Sequence, residues 1–340
     1  MKTGLTLGKF APLHKGHQAL IEKGISETDS FVVVIYDSPN ETIVPLGVRA
    51  DWIKKLYPSV EVIEAWDGPT EVGDTPEIRE MHEDYLRSIL GDKRITNFYS
   101  SEFYGSHVSK ALGAHDCRFD PNRSLVSTSG TAIRRDPFSN RQYVDQIVYR
   151  DLVSWIVFLG APSTGKTTIC NTMADLFGTV AMPEYGREYW EENHVDRRLT
   201  QTQLLEIAVE HRRREESLVA EANNFLFVDT NASTTKIFSE YYHGDVLPEL
   251  DELSSEARSR YDLVFLCDEE IPYEDTWDRS GEGNRRVFQK KIVEELRKTR
   301  TPYVSLRGSL EERAETVTEV LSVFEKWNSL PDLLVASLRT

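Results

Sequence analysis

Residues 154–169 read SWIVFLGAPSTGKTTI and lie close to the middle of a 340-residue chain. The apolar run 155–159 predicts a buried parallel strand. It feeds into GAPSTGKT at 160–167, and an apolar-periodic helix pattern continues through Thr168 and Ile169. Strand, glycine loop and helix stand in the order that a G-x-x-x-x-G-K-[ST] phosphate loop requires. Gly160 and Gly165 let the backbone N–H groups around Ser163 and Thr164 turn inward on a polyphosphate, and the helix N-terminus adds partial positive charge. Lys166 is placed to reach the β- and γ-phosphates of a nucleoside triphosphate such as ATP, and the Thr167 hydroxyl to ligate Mg2+. A fold that starts near residue 152 leaves the preceding residues in need of a fold of their own.

The length predicts two domains, each large enough for its own core. With 39% hydrophobic and 28% charged residues the composition is that of a soluble globular protein. The net charge is −16, of which residues 1–150 carry about −3 and the remainder about −13. Such an acidic balance argues against general nucleic-acid or membrane binding, while allowing local basic pockets for phosphates. Cys117, Cys170 and Cys267 are far apart and odd in number. They suggest no disulfide framework or metal spacing, and reduced thiols in a cytoplasmic protein are expected. The opening MKTGLTLGKF has no apolar core of signal-peptide length, and the longest apolar runs, such as 31–36, are strand-sized.

In the first half, 5–7 is a short strand candidate that runs into GKFAPLHKGH at 8–17, after which 18–25 reads as a helix. Strands are expected at 31–36, 60–65 and 97–100, and helices at 49–56 and 77–90. This alternation predicts a doubly wound α/β sheet, in which ligands bind beyond the carboxyl ends of the strands. His14 and His17, beside a glycine at a helix start, can both donate to one anionic group. A second stretch, STSGTAIR at 127–134, offers hydroxyl caps, a turn glycine and an arginine in the first helical turn. It is another polyphosphate grip, with Arg134 as the charge-assisted donor.

GKFAPLHKGH resembles the G-x-F-x-P-x-H-x-G-H signature of the nucleotidyltransferase superfamily, and STSGTAIR its later S-x-T-x-x-R signature. The resemblance implies a Rossmann-like domain that adenylylates a phosphomonoester. The substrate phosphate would attack the α-phosphorus of ATP in line, and catalysis would consist of positioning and charge neutralisation. By the same resemblance His14 and His17 hold phosphates around the reacting centre. Arg134 with Ser129, Gly130 and Thr131 holds the β- and γ-phosphates, and Gly8, Lys9 and Phe10 belong to the nucleotide loop. Arg49, in PLGVRADW, reads as a surface arginine, although relatives often carry a basic residue there near the phosphates. Trp66 follows a strand and is a candidate contact for a substrate ring. Ser100, Ser101 and Glu102 follow another strand end and are candidate nucleotide contacts.

The polar stretch 135–150 contains Pro137 and no Gly/Ser-rich run, so the boundary is placed near residue 150 with little flexible linker. Domains are accordingly expected at 1–150 and 151–330. Past the phosphate loop, a short strand at 179–182 ends at PEYGREYW. Glu184 there can accept the proton of an attacking hydroxyl, Arg187 can hold substrate or phosphate, and Tyr185 can stack on a base. The long helix expected at 200–221 carries HRRREE, which reads as a solvated face. The strand at 225–228 ends at Asp229, the Walker B arrangement on the Mg2+ side. A helix is expected at 233–242 and a strand at 263–267. WDRSGEGNRR at 277–286 then offers Arg279, Arg285 and Arg286 in a glycine-rich candidate lid. A helix at 287–298, a strand at 303–306, a helix at 310–327 and a loose tail at 331–340 complete the reading.

This half resembles the ribosylnicotinamide kinase domain of the NadR family through GAPSTGKTT, EYGRE, VDTNASTT and WDRSG. The signatures of the first half match that family's nicotinamide mononucleotide adenylyltransferase domain. The helix-turn-helix domain of some relatives is not expected, since the first signature begins at Gly8. Pro183 stands where some relatives have an aromatic, and 73–82 lacks the tryptophans often found around the pyridine pocket. The resemblance implies two doubly wound parallel-sheet domains, a Rossmann-like nucleotidyltransferase followed by a P-loop kinase. It implies ATP and Mg2+, small-molecule substrates, and neither a nucleic-acid nor a membrane partner; a homo-oligomer is left open. The expected activity is phosphorylation of nicotinamide riboside followed by adenylylation of the mononucleotide to NAD. Glu184 is the candidate base, with Asp229 as the alternative base or metal ligand. Two other readings use the same folds: a fused pantetheine-phosphate adenylyltransferase and dephospho-coenzyme A kinase, and a non-catalytic nucleotide sensor.

Overall fold

The computed structural model describes residues 1–71, 73, 75–101, 105–122, 124–195, 199–271 and 282–328. Arg279 with the stretch 277–281, Glu102 and the tail 331–340 lie outside the described residues. The chain divides into two compact units, Met1–Tyr149 and Arg150–Thr340.

The first unit contains β1 (Thr3–Gly8), β2 (Ser30–Tyr36), β3 (Glu61–Ala65), β4 (Asn97–Ser100) and β5 (His115–Arg118). They form one sheet in the order β3-β2-β1-β4-β5, and every pairing is parallel. β2 reads SFVVVIY, with Phe31 to Ile35 all buried, as a strand covered on both faces must be. Leu5, Val32, Val34 and Phe98 pack with Leu86 and Leu90 of the Pro76–Leu90 helix. That helix starts at an N-capping Thr75 followed by proline and stops at Gly91, so its ends are written into the sequence. From β1 the chain goes to β2 on one side, and it returns to β4 on the other. The crevice beyond the carboxyl end of β1 is therefore the topological switch point, and GKFAPLHKGH begins there. The Gly105–Leu112 helix and β5 add to the elements expected from sequence. β5 is the edge strand HDCR, with no apolar run to announce it.

The second unit contains β6 (Ser154–Leu159), β7 (Val180–Met182), β8 (Phe225–Asp229), β9 (Leu263–Cys267) and β10 (Val304–Leu306). Their order is β10-β9-β6-β8-β7, again all parallel. β6 is central and wholly buried. The ring of Phe158 lies 6.0 Å from that of Phe227 and 5.6 Å from that of Phe265. Ile169 and Met173 of the Lys166–Phe177 helix and Val317 and Leu321 of the Leu310–Val323 helix share that core. The phosphate loop leaves β6 between β8 and β9, at the switch point of this sheet.

A second cluster in this unit, Leu199, Leu204, Ile207, Ala208 and Leu250, joins the Gln201–Leu218 and Pro248–Arg260 helices. The Pro248–Arg260 helix is additional to the sequence expectation. Only Leu250, Ser254 and Ala257 are buried on it, too small a stripe to register as amphipathic. The solvated reading of HRRREE on Gln201–Leu218 is corrected. Arg212, Arg213 and Arg214 reach Glu256, Glu210 and Glu188, but His211 and Glu215 are buried. Positions 204, 207, 208, 211 and 215 recur at helical spacing, so those two polar residues continue the inward stripe. Among the described residues no helix is long and apolar enough to cross a membrane.

Candidate active sites

The first site is built on the loop after β1. Phe10 has φ +46°, in the left-handed region, and its buried ring meets the His17 ring edge-on at 4.9 Å. His14 is the N-cap of the Lys15–Glu27 helix, and its Nδ1 accepts from the Gly16 N–H at 3.1 Å. His17 Nδ1 accepts from the His14 N–H at 3.4 Å, and the two rings stack at 3.7 Å. Because both Nδ1 atoms accept, the proton of each neutral ring sits on Nε2. Two Nε2–H donors thus stand at a helix N-terminus, where the backbone already favours an anion.

The STSGTAIR stretch comes to the same place. Ser129 caps the Gly130–Arg135 helix by accepting from the Ala132 N–H at 3.1 Å. A Cβ on Gly130 would lie 2.8 Å from the Ala11 carbonyl oxygen, so only glycine lets this turn rest on the loop. Arg134 donates through Nη1 to that same Ala11 oxygen, and through Nη2 to Thr131 Oγ1 at 3.3 Å. Its Nη2 also lies 3.2 Å from Glu41 Oε2, while Lys9 Nζ lies 3.0 Å from Glu41 Oε1. The Glu41 carboxylate therefore bridges the two side-chain cations of the site. Lys9, first by its hydrogen bond, and then the Arg134 charge hold it below the usual glutamate range.

Arg49 is not the surface arginine expected from sequence; it is 0% exposed. Its Nε donates to Val44 O at 3.0 Å, and its Nη1 to Tyr36 O at 3.1 Å and to Lys9 O. Its Nη2 lies 3.4 Å from Asp37 Oδ1. Burial lowers its pKa, and Asp37 opposes the change. Arg49 thus ties the loop after β1 to the end of β2. The sequence does carry a signal, because Leu46, Arg49, Ala50 and Ile53 share the buried face of the Leu46–Leu56 helix. Replacing Arg49 by Met would strand three carbonyls in a dry site. We expect the first unit to lose about 3 kcal/mol, read as a lowered denaturant midpoint.

Trp66, just beyond β3, is 60% exposed. The rings that gather beyond β2 and β3 are others. Tyr36 lies 6.1 Å from Tyr85 and 6.4 Å from His82, and Tyr85 donates to Asp67 Oδ1 at 2.7 Å. Tyr36 and Tyr85 were not singled out in the sequence, where they read as core. Ser100 is buried at the end of β4.

The second site is the loop after β6. Gly160 has φ +150°, and a Cβ there would lie 2.8 Å from Cys267 O and 2.6 Å from Thr164 Oγ1. Lys166 Nζ donates to Ala161 O at 3.0 Å, and Thr164 Oγ1 to the same oxygen at 2.8 Å. Gln289 accepts from the Ala161 N–H at 2.8 Å and donates to Cys267 O at 3.0 Å. Arg285 is buried and donates to Ser163 O at 3.1 Å, whereas Arg286 and Thr168 are exposed. Beneath the loop lies Arg313, 1% exposed. It donates to Thr164 O at 2.7 Å, Gly308 O at 3.1 Å and Asp268 O at 3.4 Å. Neither Gln289 nor Arg313 stood out in the sequence, where both read as polar positions on helices.

Thr167 Oγ1 donates to Asp229 Oδ2. Asp229 is wholly buried, and its Oδ1 has no hydrogen-bond partner among the described residues. Burial first, and then the charge of Glu184, push its carboxyl up to about 6 against the opposing effects of Lys166 and Thr167. A buried carboxylate with an unused oxygen beside a loop hydroxyl fits a divalent cation. A cavity of about 150 Å3 opens over the loop. Ser163, Lys166, Glu184 and Arg187 line its polar side, and Leu204, Ile207, Phe238 and Phe288 its apolar side. Glu184 is the N-cap of the Tyr185–Asn193 helix. Tyr185, expected to meet substrate, packs on the Leu199–Leu204 cluster under the Arg214 guanidinium at 3.9 Å, and Trp190, packed on the same cluster, lines the cavity.

A family model described as cytidylyltransferase-like matches residues 5–136, from β1 through the Gly130–Arg135 helix. One described as an AAA domain matches residues 155–313, from β6 to Arg313. The trifunctional NAD biosynthesis/regulator protein NadR of Salmonella typhimurium is 28% identical over 328 residues, covering 89% of this chain and 78% of the relative. The protein of the same name from Escherichia coli is 27% identical over 321 residues, covering 88% and 78%. The chain is similar to these two NadR proteins over most of its length. A crystal structure of a NadR protein in complex with NR aligns over 94% of this chain and 95% of that one, with a TM-score of 0.57 and 22% identity. That likeness shows a common fold. The two family models extend through both loops, so neither site is a local coincidence of motif.

Proposed function

We propose that the chain is a bifunctional enzyme of NAD salvage. Its second unit phosphorylates the 5′-hydroxyl of nicotinamide riboside with MgATP. Its first unit joins the resulting mononucleotide to the AMP part of a second ATP, giving NAD and pyrophosphate. The observation that carries the reading is the cavity over the phosphate loop, which joins Lys166 and Glu184 to an apolar wall suited to a flat ring. The names of the NadR relatives support it.

In the kinase step Glu184 takes the proton of the riboside hydroxyl as its oxygen attacks the γ-phosphorus and the bond to the β-bridging oxygen breaks. Lys166 and Arg285 face the charge that develops on the transferring group. Thr167 and Asp229 would hold Mg2+, which would supply charge neutralisation to the triphosphate. Asp229 is bonded to Thr167, so the base is assigned to Glu184. In the adenylyl step a phosphate oxygen of the mononucleotide attacks the α-phosphorus and pyrophosphate leaves. His14 and His17 steady the reacting phosphate through Nε2–H, while Arg134, Lys9 and the Ser129–Thr131 turn receive the departing pyrophosphate.

Incubation of the protein with riboside and MgATP should yield both mononucleotide and NAD by chromatography. If neither accumulates, the reading fails. Glu41 adds a finer expectation, since it neutralises Lys9 and Arg134 before a phosphate does. Glu41→Gln should lower KM for ATP in adenylyl transfer about threefold and leave kcat unchanged, the size expected of an exposed ion pair.

A further inference from the structure

His211 is the histidine that lines the cavity, on a wall it shares with Leu204, Ile207 and Ala208 of its own helix. Its Nε2 lies 3.2 Å from Glu215 Oε1. Glu215 is 0% exposed, and it accepts from Arg260 Nε at 2.6 Å and from the Tyr261 hydroxyl at 2.6 Å. Arg260 is held in turn by Glu216 at 2.7 Å. Burial would push the Glu215 carboxyl up, but the nearby His211 ring, the Arg260 charge and the Tyr261 hydroxyl outweigh it, and the group lies below the usual glutamate range. With a carboxylate oxygen fixed 3.2 Å away, a lone pair on Nε2 would be repelled, so the neutral ring carries its proton on that nitrogen and Nδ1 is the lone-pair atom. A hydrogen-bond acceptor then stands in an otherwise apolar stretch of wall. Such a place suits a planar N–H donor on an aromatic ring. It disfavours a carboxylate, which would meet a lone pair with a buried negative charge behind it.

We propose that His211 is the specificity-determining contact of this cavity, accepting a hydrogen bond at Nδ1 from the carboxamide of the acceptor's ring, so that the amide riboside is taken in preference to the acid riboside. This assignment rests on the riboside kinase reading. Glu215 is the positioning residue that fixes the tautomer.

The test compares phosphorylation of nicotinamide riboside and nicotinic acid riboside by the unaltered protein, by His211→Leu and by His211→Gln. The unaltered protein should prefer the amide by about tenfold or more in kcat/KM, because a site built for a donor rejects an analogue that lacks it. His211→Leu should raise KM for the amide about tenfold, with kcat within about twofold and the acid riboside unaffected. Gln carries both an acceptor and a donor and can turn either way. His211→Gln should therefore keep the amide KM within about threefold while lowering that for the acid. Equal losses on both ribosides, or a change in kcat alone, would overturn the role of His211 and leave the kinase reading intact. If the Leu variant fails to fold, the Gln variant decides, and an unaltered amide-to-acid ratio there overturns the proposal. Absence of riboside phosphorylation by the unaltered protein overturns the kinase reading and this assignment together.

Discussion

Lys166→Ala is expected to lower riboside phosphorylation about a thousandfold while leaving adenylyl transfer to supplied mononucleotide within about twofold. Lys166 is almost wholly buried, lines the cavity, and its Nζ is held 3.0 Å from the Ala161 carbonyl oxygen at the mouth of the loop. A cation already in position contributes most where charge develops, and removing one such donor typically costs a factor of about 100 to 1,000 in rate. The substitution also removes the positive charge that opposes the upward push on Asp229, so the carboxyl beside Thr167 protonates more readily. The two losses act together on the same phosphate oxygens. The adenylyl activity of the same preparation serves as the control, because its residues lie in the other unit. Parallel loss of both activities would contradict the assignment of one site to each unit.

His17→Ala is the converse experiment, with adenylyl transfer expected to fall about a hundredfold or more and riboside phosphorylation to be unaffected. His17 has two tasks that the substitution removes at once. Its Nδ1 caps the His14 N–H, and its Nε2–H is the donor assigned to the reacting phosphate. Loss of the cap should cost about 1 kcal/mol, seen as a small fall in the melting temperature of the first unit. His17→Asn separates the tasks, since an amide oxygen can still accept from the His14 N–H. Stability should return with Asn and the rate should not. If Asn restores both, His17 acts through the fold alone.

The strands and loops that make both cradles could be read directly from the chain because each is a local pattern. SFVVVIY can only be a strand covered on both faces, and GAPSTGKT between an apolar run and a helix has one common use. Where the signal depended on a distant partner, the sequence misled. Arg49, Arg313 and Glu215 are charged residues on helices, where such residues ordinarily face water. They are buried because carbonyls or counter-ions from elsewhere meet them, as Thr164 does for Arg313 across 149 positions. Tyr185, an aromatic beside Glu184 that reads as a ring for substrate, packs on the Leu199–Leu204 cluster, as does Trp190, which also lines the cavity. The Pro248–Arg260 helix and β5 went unseen for a simpler reason, since neither buries enough carbon to leave a periodic trace.

Arg49 and Arg313 share a habit, each aiming a guanidinium at main-chain oxygens under a nucleotide loop rather than at the nucleotide. A rigid planar fork fixes several oxygens at once, which the single ammonium of lysine does not. The loops above them are therefore stiffened before any triphosphate arrives. Little ordering entropy remains to be lost on capture, and more of the contact energy can appear as affinity. On the proposed reading the chain meets its common fuel with two finished moulds, and the adaptable part of recognition falls to the walls that touch the second substrate.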